Sequence, residues 1–282
     1  MSNVPVTDDY TRGNLTANCE NCFGLCCVAL PFAKSADFAF DKDGGTPCRN
    51  LQSNYLCGIH KNLRKKGFRG CTAFDCFGAG QKVSQVTYKA NDWRNNADFA
   101  KEMFGVFPIM HQLHEMLWYL NEALSLKVAQ SLHSELLASL NDSEQLTRLN
   151  PESILKINIS EQRAKVNHLL LRTSELVRAQ VPNQKKQKKH HRGSDFIGAK
   201  LKGADLRGAN LRGALFIAAD LRDADLRMAD LIGADLRDTD LSGANLTGSI
   251  FLTQAQINAA KGNQYTKLPS ALDIPNHWRE EG

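Results

Sequence analysis

Residues 199–253 read A-K-L-K-G, A-D-L-R-G, A-N-L-R-G, A-L-F-I-A, A-D-L-R-D, A-D-L-R-M, A-D-L-I-G, A-D-L-R-D, T-D-L-S-G, A-N-L-T-G, S-I-F-L-T, and S-D-F-I-G at 194–198 begins the same series. These are twelve units of five residues without a break. Their centres are Phe196, Leu201, Leu206, Leu211, Phe216, Leu221, Leu226, Leu231, Leu236, Leu241, Leu246 and Phe251. Two residues before each centre stands a small side chain, nine times Ala. A step of five scatters the large residues around an α-helix and throws them onto alternate faces of a flat strand. The pattern buries them all only if the backbone turns a corner after each unit, with the small residue at the inner corner and successive coils bonded through their backbones. The expectation is a solenoid.

The run resembles the pentapeptide-repeat family, A(D/N)LXX. The resemblance implies a C-terminal right-handed quadrilateral β-helix (a β-solenoid) with four units per coil, so that residues twenty apart stack: Phe196 on Phe216, Leu211 on Leu231. Some members of that family imitate DNA and protect the targets of antibiotics. Those rods are longer and more acidic, whereas 194–253 carries nine Asp against seven Lys and Arg, a net charge of −2. Alternating solvated ion pairs on a binding scaffold are the better reading.

All eight cysteines lie in the first 76 residues: Cys19, Cys22, Cys26, Cys27, Cys48, Cys57, Cys71 and Cys76. The surrounding glycines point to a loop-rich segment with too little apolar material to hold itself together. The N-terminus lacks the charged-then-apolar pattern of an export signal, so a cytoplasmic location and metal thiolates are expected rather than disulfides. Adjacent Cys26 and Cys27, on an extended backbone, point different ways and serve two centres. His60 reads either as a further ligand or as an exposed side chain packing beside the site. Eight thiolates suffice for two four-coordinate zinc sites or for an iron–sulfur cluster, and the choice between zinc and iron stays open.

This segment also resembles a zinc- or iron-chelating cysteine-cluster family, through C-E-N-C-F-G-L-C-C at 19–27, Cys48, C-G-I-H at 57–60, Cys71 and Cys76. It departs from that family where K-K-G-F-R-G at 65–70 replaces the usual Arg-Pro pair. The order of parts is similar to bacillus-type pentapeptide-repeat proteins and to oxetanocin-resistance proteins, which implies a role in antibiotic resistance.

Between these ends the period is helical. Phe99, Met103, Val106, Met110, Leu113, Leu117, Leu120 and Leu124 form one apolar stripe. Gly105 and Pro108 read as a stop and a fresh start, Asn141-Asp142-Ser143 as a turn, and Asn150-Pro151 as the cap of a helix that continues to Gln180. An α-helical hairpin or small bundle is expected. His111 and His114 read as ordinary core or surface histidines.

The expected architecture is therefore multidomain: a cysteine-cluster metal-binding domain at 1–90, a helical region at 91–180, a basic linker at 181–193, the repeat at 194–253, and a C-terminal cap at 254–282 built on Ile257, Leu268, Leu272 and Trp278. The net charge of +5 comes from the linker, where Lys185, Lys186, Lys188, Lys189 and Arg192 cluster. That run offers contact with nucleic-acid phosphates but reads better as a solvated tether. No apolar run approaches the ~20 residues that span a bilayer, so no membrane role is expected. No phosphate loop, nucleophile with a base, or carboxylate pair is found. The function expected is non-enzymatic: a metal-binding scaffold that meets a protein partner through the repeat. The alternative is a redox protein or metalloenzyme working through the cysteines.

Overall fold

A computed structural model describes residues 13–182 and 192–279. The lysine run of the expected linker, 183–191, lies outside the described residues. Two compact units are present, one from Met1–Phe68, Cys76–Leu126 and Gln130–Leu170, the other from Arg69–Asp75, Lys127–Ala129 and Leu171–Gly282.

In chain order the α-helices are α1 (Leu25–Ala29), α2 (Arg69–Thr72), α3 (Ala79–Gln81), α4 (Ala97–Ser125), α5 (His133–Thr147), α6 (Pro151–Leu155), α7 (Ile159–Arg178) and α8 (Gln254–Ala259). The frame of the first unit is α4, against which α1, α3, α5 and α6 pack. It is one helix of 29 residues, not two, and both Gly105 and Pro108 lie inside it. Pro108 removes one backbone donor and costs up to about 3 kcal/mol. The stripe of Met103, Val106, Met110, Leu113, Leu117 and Leu120 is fully buried, at about 1.5–3 kcal/mol each, and outweighs that loss. Gly105 is there for packing, because a Cβ on it would come within 3.1 Å of Leu155 on α6. The expected turn at Asn141-Asp142-Ser143 is instead the interior of α5. Ser143 is accommodated there by donating its hydroxyl to the Ser139 carbonyl. Asn150 caps α6 by accepting from the Ser153 N–H, with Pro151 in the first turn.

In the second unit the expected β-helix is corrected. Among the described residues there is no strand and no sheet, only isolated single-residue bridges. The repeat folds as a stack of tight turns. Each centre accepts a bond from the N–H three residues on, as in Ala199 to Phe196 (3.0 Å) and Ala204 to Leu201 (3.0 Å). The residue two past the centre has φ near +60°, from Gly198 through Ala218, Asp223 and Met228 to Gly248. That is the requirement of a type II turn, which Gly satisfies without strain. With a turn in every unit, one residue in five is left to bridge, always the one before the centre, and no run is long enough to be a strand.

Bridges run at a step of twenty residues, from Asp195 to Leu215 through Asp230 to Ile250. Each level is bonded to the next in both directions, as in Phe196 N–H to Leu215 O (2.8 Å) and Leu215 N–H to Ser194 O (2.9 Å). The rings of Phe196 and Phe216 stack at 5.0 Å. The leucines from 206 to 246 and the inner-corner alanines form the core. Beyond Ile250 the step lengthens, Asp240 meeting Lys261 and Asn245 meeting Lys267. There α8 covers the end of the stack. Thr253 and Gln256 form a capping box, and Gln256 also donates to the Leu231 and Ala234 carbonyls. Ile257 and Trp278 are buried against the leucines, with Leu268 and Leu272 half-buried beside them.

Candidate functional site

The thiols are placed by short, locally constrained pieces of chain. Gly24, at φ +67°, opens α1, and a Cβ there would strike the Tyr55 carbonyl at 2.9 Å. Leu25, Val28 and Ala29 bury α1 against α4, leaving Cys26 and Cys27 partly exposed between them. The two cysteines are thus helical, not extended, and their sulfurs lie 3.9 Å apart instead of pointing to separate centres. The Cys48 N–H donates to the Cys27 carbonyl (2.9 Å), which brings in the second segment. A bridge between Leu51 and Cys57 folds the third segment back. The Cys57 thiol then interacts with Cys27 on one side and His60 on the other.

Crowding of like groups sets the electrostatics. The Cys26 sulfur holds the Cys27 thiol far above its ordinary range. Cys27 in turn pushes Cys57 up to about 12, partly opposed by His60, whose own pKa Cys57 raises. Such thiols are poor nucleophiles by themselves, and a positive charge beside them reverses the balance.

A second set collects around Gly80 on α3. A Cβ there would lie 2.7 Å from the Cys22 sulfur and 3.9 Å from that of Cys76. Cys19 is one turn from Cys22, and burial first, then Cys19, raises the Cys22 thiol. The segment is tied down by Gln81, which donates to the Thr16 carbonyl (2.8 Å), and by Ser84, which accepts from the Phe23 N–H (3.0 Å). Cys71 lies on α2, in the second unit. His114 is buried and holds its Nδ1 2.7 Å from the Phe77 carbonyl, and His111 sits among the Phe77 and Phe107 rings.

The fit to a metal ion is incomplete as the side chains stand. Tetrahedral zinc with bonds of about 2.3 Å needs sulfurs ~3.8 Å apart, which the Cys26–Cys27 pair matches. Among the described residues, however, no three His, Cys, Asp or Glu side chains close into a ready shell. All eight thiols are free of disulfides, so the donor chemistry is intact.

One contributor the sequence reading missed is Lys42. It is buried, and its Nζ donates to the carbonyls of Val28 (3.2 Å), Asp43 (3.1 Å) and Thr46 (3.1 Å). An isolated Lys between Phe40 and Gly44 carries no motif that would have singled it out.

On the repeat, where Asp or Asn stands before a centre it accepts from the N–H two residues on, as Asp205 does from Arg207 (3.2 Å) and Asp230 from Ile232 (3.1 Å). In four units that second residue is an Arg whose guanidinium returns to the same carboxylate, as in Arg207–Asp205 and Arg222–Asp220 at 2.7 Å. Most of the polar surface is thus committed to holding the turns.

Turns recurring every five residues, stacked at a step of twenty, define a pentapeptide-repeat protein, and the family model for pentapeptide repeats matches eight copies over residues 192–213 and 214–251. The chain belongs to the same family as a Bacillus subtilis (strain 168) protein described as "Uncharacterized protein YybG", to which it is 67% identical over 279 residues, covering 99% of this chain and 100% of the relative. A pentapeptide repeat protein from the Arabidopsis thaliana thylakoid lumen, solved by crystallography, is 29% identical over 33% of this chain and 68% of its own, with a TM-score of 0.16. The family match runs from 192 to 251 and does not reach the cysteine-rich segment, which stays a resemblance. Among the described residues no helix is long and apolar enough to cross a membrane.

Proposed function

We propose that this pentapeptide-repeat protein is a metal-dependent interaction scaffold without catalysis of its own. Cys26, Cys27, Cys48 and Cys57 would hold a zinc or iron ion, with His60 beside them, and the turn stack offers a preformed surface to a protein partner. The observation that carries this reading is the gathering of reduced thiols from three chain segments around Cys27. A bound divalent ion supplies the positive charge that converts such crowded thiols to thiolates, and closing the shell would tie the three segments together. Protection of an antibiotic target, which the family resemblance implies, is one use of a surface whose charges are already locked into turns.

Metal analysis of protein purified under reducing conditions tests the proposal. The expected result is at least one zinc or iron per chain, reduced by one equivalent in Cys27→Ser, with a second equivalent if Cys19, Cys22 and Cys76 also take part. A protein without metal, whose unfolding is indifferent to chelator, would overturn it. Iron with acid-labile sulfide would move the reading to redox chemistry.

A further inference from the structure

Residues 31–68, all within the first unit, carry seven Lys and Arg against three Asp and no Glu, a net charge of +4. They begin with a hairpin closed by the backbone pair of Phe32 and Lys42 (2.9 and 2.8 Å) and by Asp41, which accepts from the Lys34 N–H at 2.7 Å. Four phenylalanine rings form a ladder there. Phe68 is buried at its foot and meets Phe40 and Phe32 edge-on, at 5.1 and 6.2 Å. Phe38 is the last ring, half-buried and stacked on Phe32 at 4.4 Å and 9°. Among the described residues that is its one ring contact, so one face of Phe38 carries no ring. Cations flank the ladder. The Arg49 guanidinium stands 4.8 Å from the centre of the Phe40 ring. The turn Arg64–Lys66 meets the hairpin at Gly67, where a Cβ would lie 3.4 Å from that of Ala39, the residue between Phe38 and Phe40. Lys34, Arg49, Lys65 and Lys66 are exposed, and among the described residues none of them is ion-paired. The arginines of the repeat, by contrast, are closed onto their own carboxylates.

We propose that this face of the first unit binds single-stranded nucleic acid, with a base stacked on Phe38 and phosphates held by Lys34, Arg49, Lys65 and Lys66. Uncommitted cations call for a polyanion, and a bare ring face calls for a planar π-system; an unpaired strand offers both. An acidic peptide offers the charge without the face, and a duplex keeps its base faces inside the stack. The lysine run at 185–189 supplies charge but no aromatic ring, so loss of stacking separates the two sites. Neither the thiols nor the partner of the repeat enters this binding.

The test is fluorescence anisotropy of the full chain with a labelled oligothymidylate of ~12 nucleotides, with the same strand as a duplex, and with polyglutamate as competitor. The single strand is expected to bind about tenfold or more tighter than the duplex, and polyglutamate to leave it bound. Phe38→Leu, which fills the same space without a π-face, weakens binding by about fivefold or more, while Phe38→Tyr stays within about twofold of native. In Lys65→Gln/Lys66→Gln the slope of log K against log salt becomes shallower by about 1.4, at ~0.7 per lost phosphate contact. A Phe38→Leu that binds like the native chain overturns the proposal, because the contact then lies elsewhere. Equal binding of duplex, displacement by polyglutamate, or no binding of the strand also overturns it. Should Phe38→Leu lose its far-UV spectrum, the lysine pair on its exposed turn carries the test, and an unchanged salt slope there overturns the proposal.

Discussion

Arg212 and Asp230 form an ion pair unlike the others on the repeat. In four units an Arg folds back onto the carboxylate of its own pentapeptide, in contact with water, as Arg222 does on Asp220. Arg212 instead has Asn210 in its own unit and reaches to the next level, where its Nη1 meets Asp230 Oδ2 at 2.8 Å. The side chains are 6% and 0% exposed. Truncating Arg212 to Ala leaves a fully buried carboxylate without its cation, a loss of about 3–5 kcal/mol. The same change at Arg222 removes a solvent-screened pair and costs far less. Urea unfolding followed by far-UV circular dichroism separates the two. With a slope of about 3 kcal/mol/M, Arg212→Ala moves the midpoint of the repeat's transition down by about 1 M or more. Arg212→Met combined with Asp230→Asn recovers most of that loss, because Asn still accepts from the Ile232 N–H, as Asn210 and Asn245 do for Arg212 and Thr247. Equal midpoints for Arg212→Ala and Arg222→Ala would refute the argument that burial sets the worth of this pair.

The turn geometry makes a paired prediction. Gly203→Ala, at φ +67° with open space around the new methyl, loses about 1 kcal/mol from backbone strain alone, and Ala218→Gly, at φ +56°, changes stability in the opposite direction; thermal unfolding of both variants reads the difference. Burial holds His114 down to about 4, against 6.5 for an ordinary imidazole. As pH falls through the window from 6.5 to 4, the unfolded chain takes up a proton that the folded chain refuses, so stability is lost there by up to about 1.4 kcal/mol per pH unit. His114→Gln flattens that slope; an unchanged pH profile would show that other groups produce it.

Much of this organisation is written in local patterns. The five-residue period follows from where large and small side chains recur, and the step of twenty from the family resemblance that the period carries. The absence of strands does not, because a solenoid pattern specifies which residues face inward but not how many remain extended between corners. In this chain the turn, with its left-handed residue even at Ala218, Asp223 and Met228, leaves a single bridging position per unit. Pro108 and Asn141-Asp142-Ser143 misled for a related reason. Local breakers cost a few kcal/mol, and the buried stripes of α4 and α5 outweigh them, a tertiary effect that no short window contains. For the candidate site, residue type exposed the eight cysteines, but not that Cys26 and Cys27 share a helix or that Lys42 bonds the Val28 and Thr46 carbonyls nearby. Both depend on contacts between segments distant in sequence.

Differential alkylation of the thiols tests the central claim, that three chain segments meet at one metal-holding thiol group. Native protein, with and without a strong chelator, is treated with an alkylating reagent and the modified cysteines are located by mass spectrometry. The account predicts that Cys26, Cys27, Cys48 and Cys57 are protected together and become reactive together when the metal is withdrawn. Independent reaction of these four, at rates that chelation leaves unchanged, would contradict it.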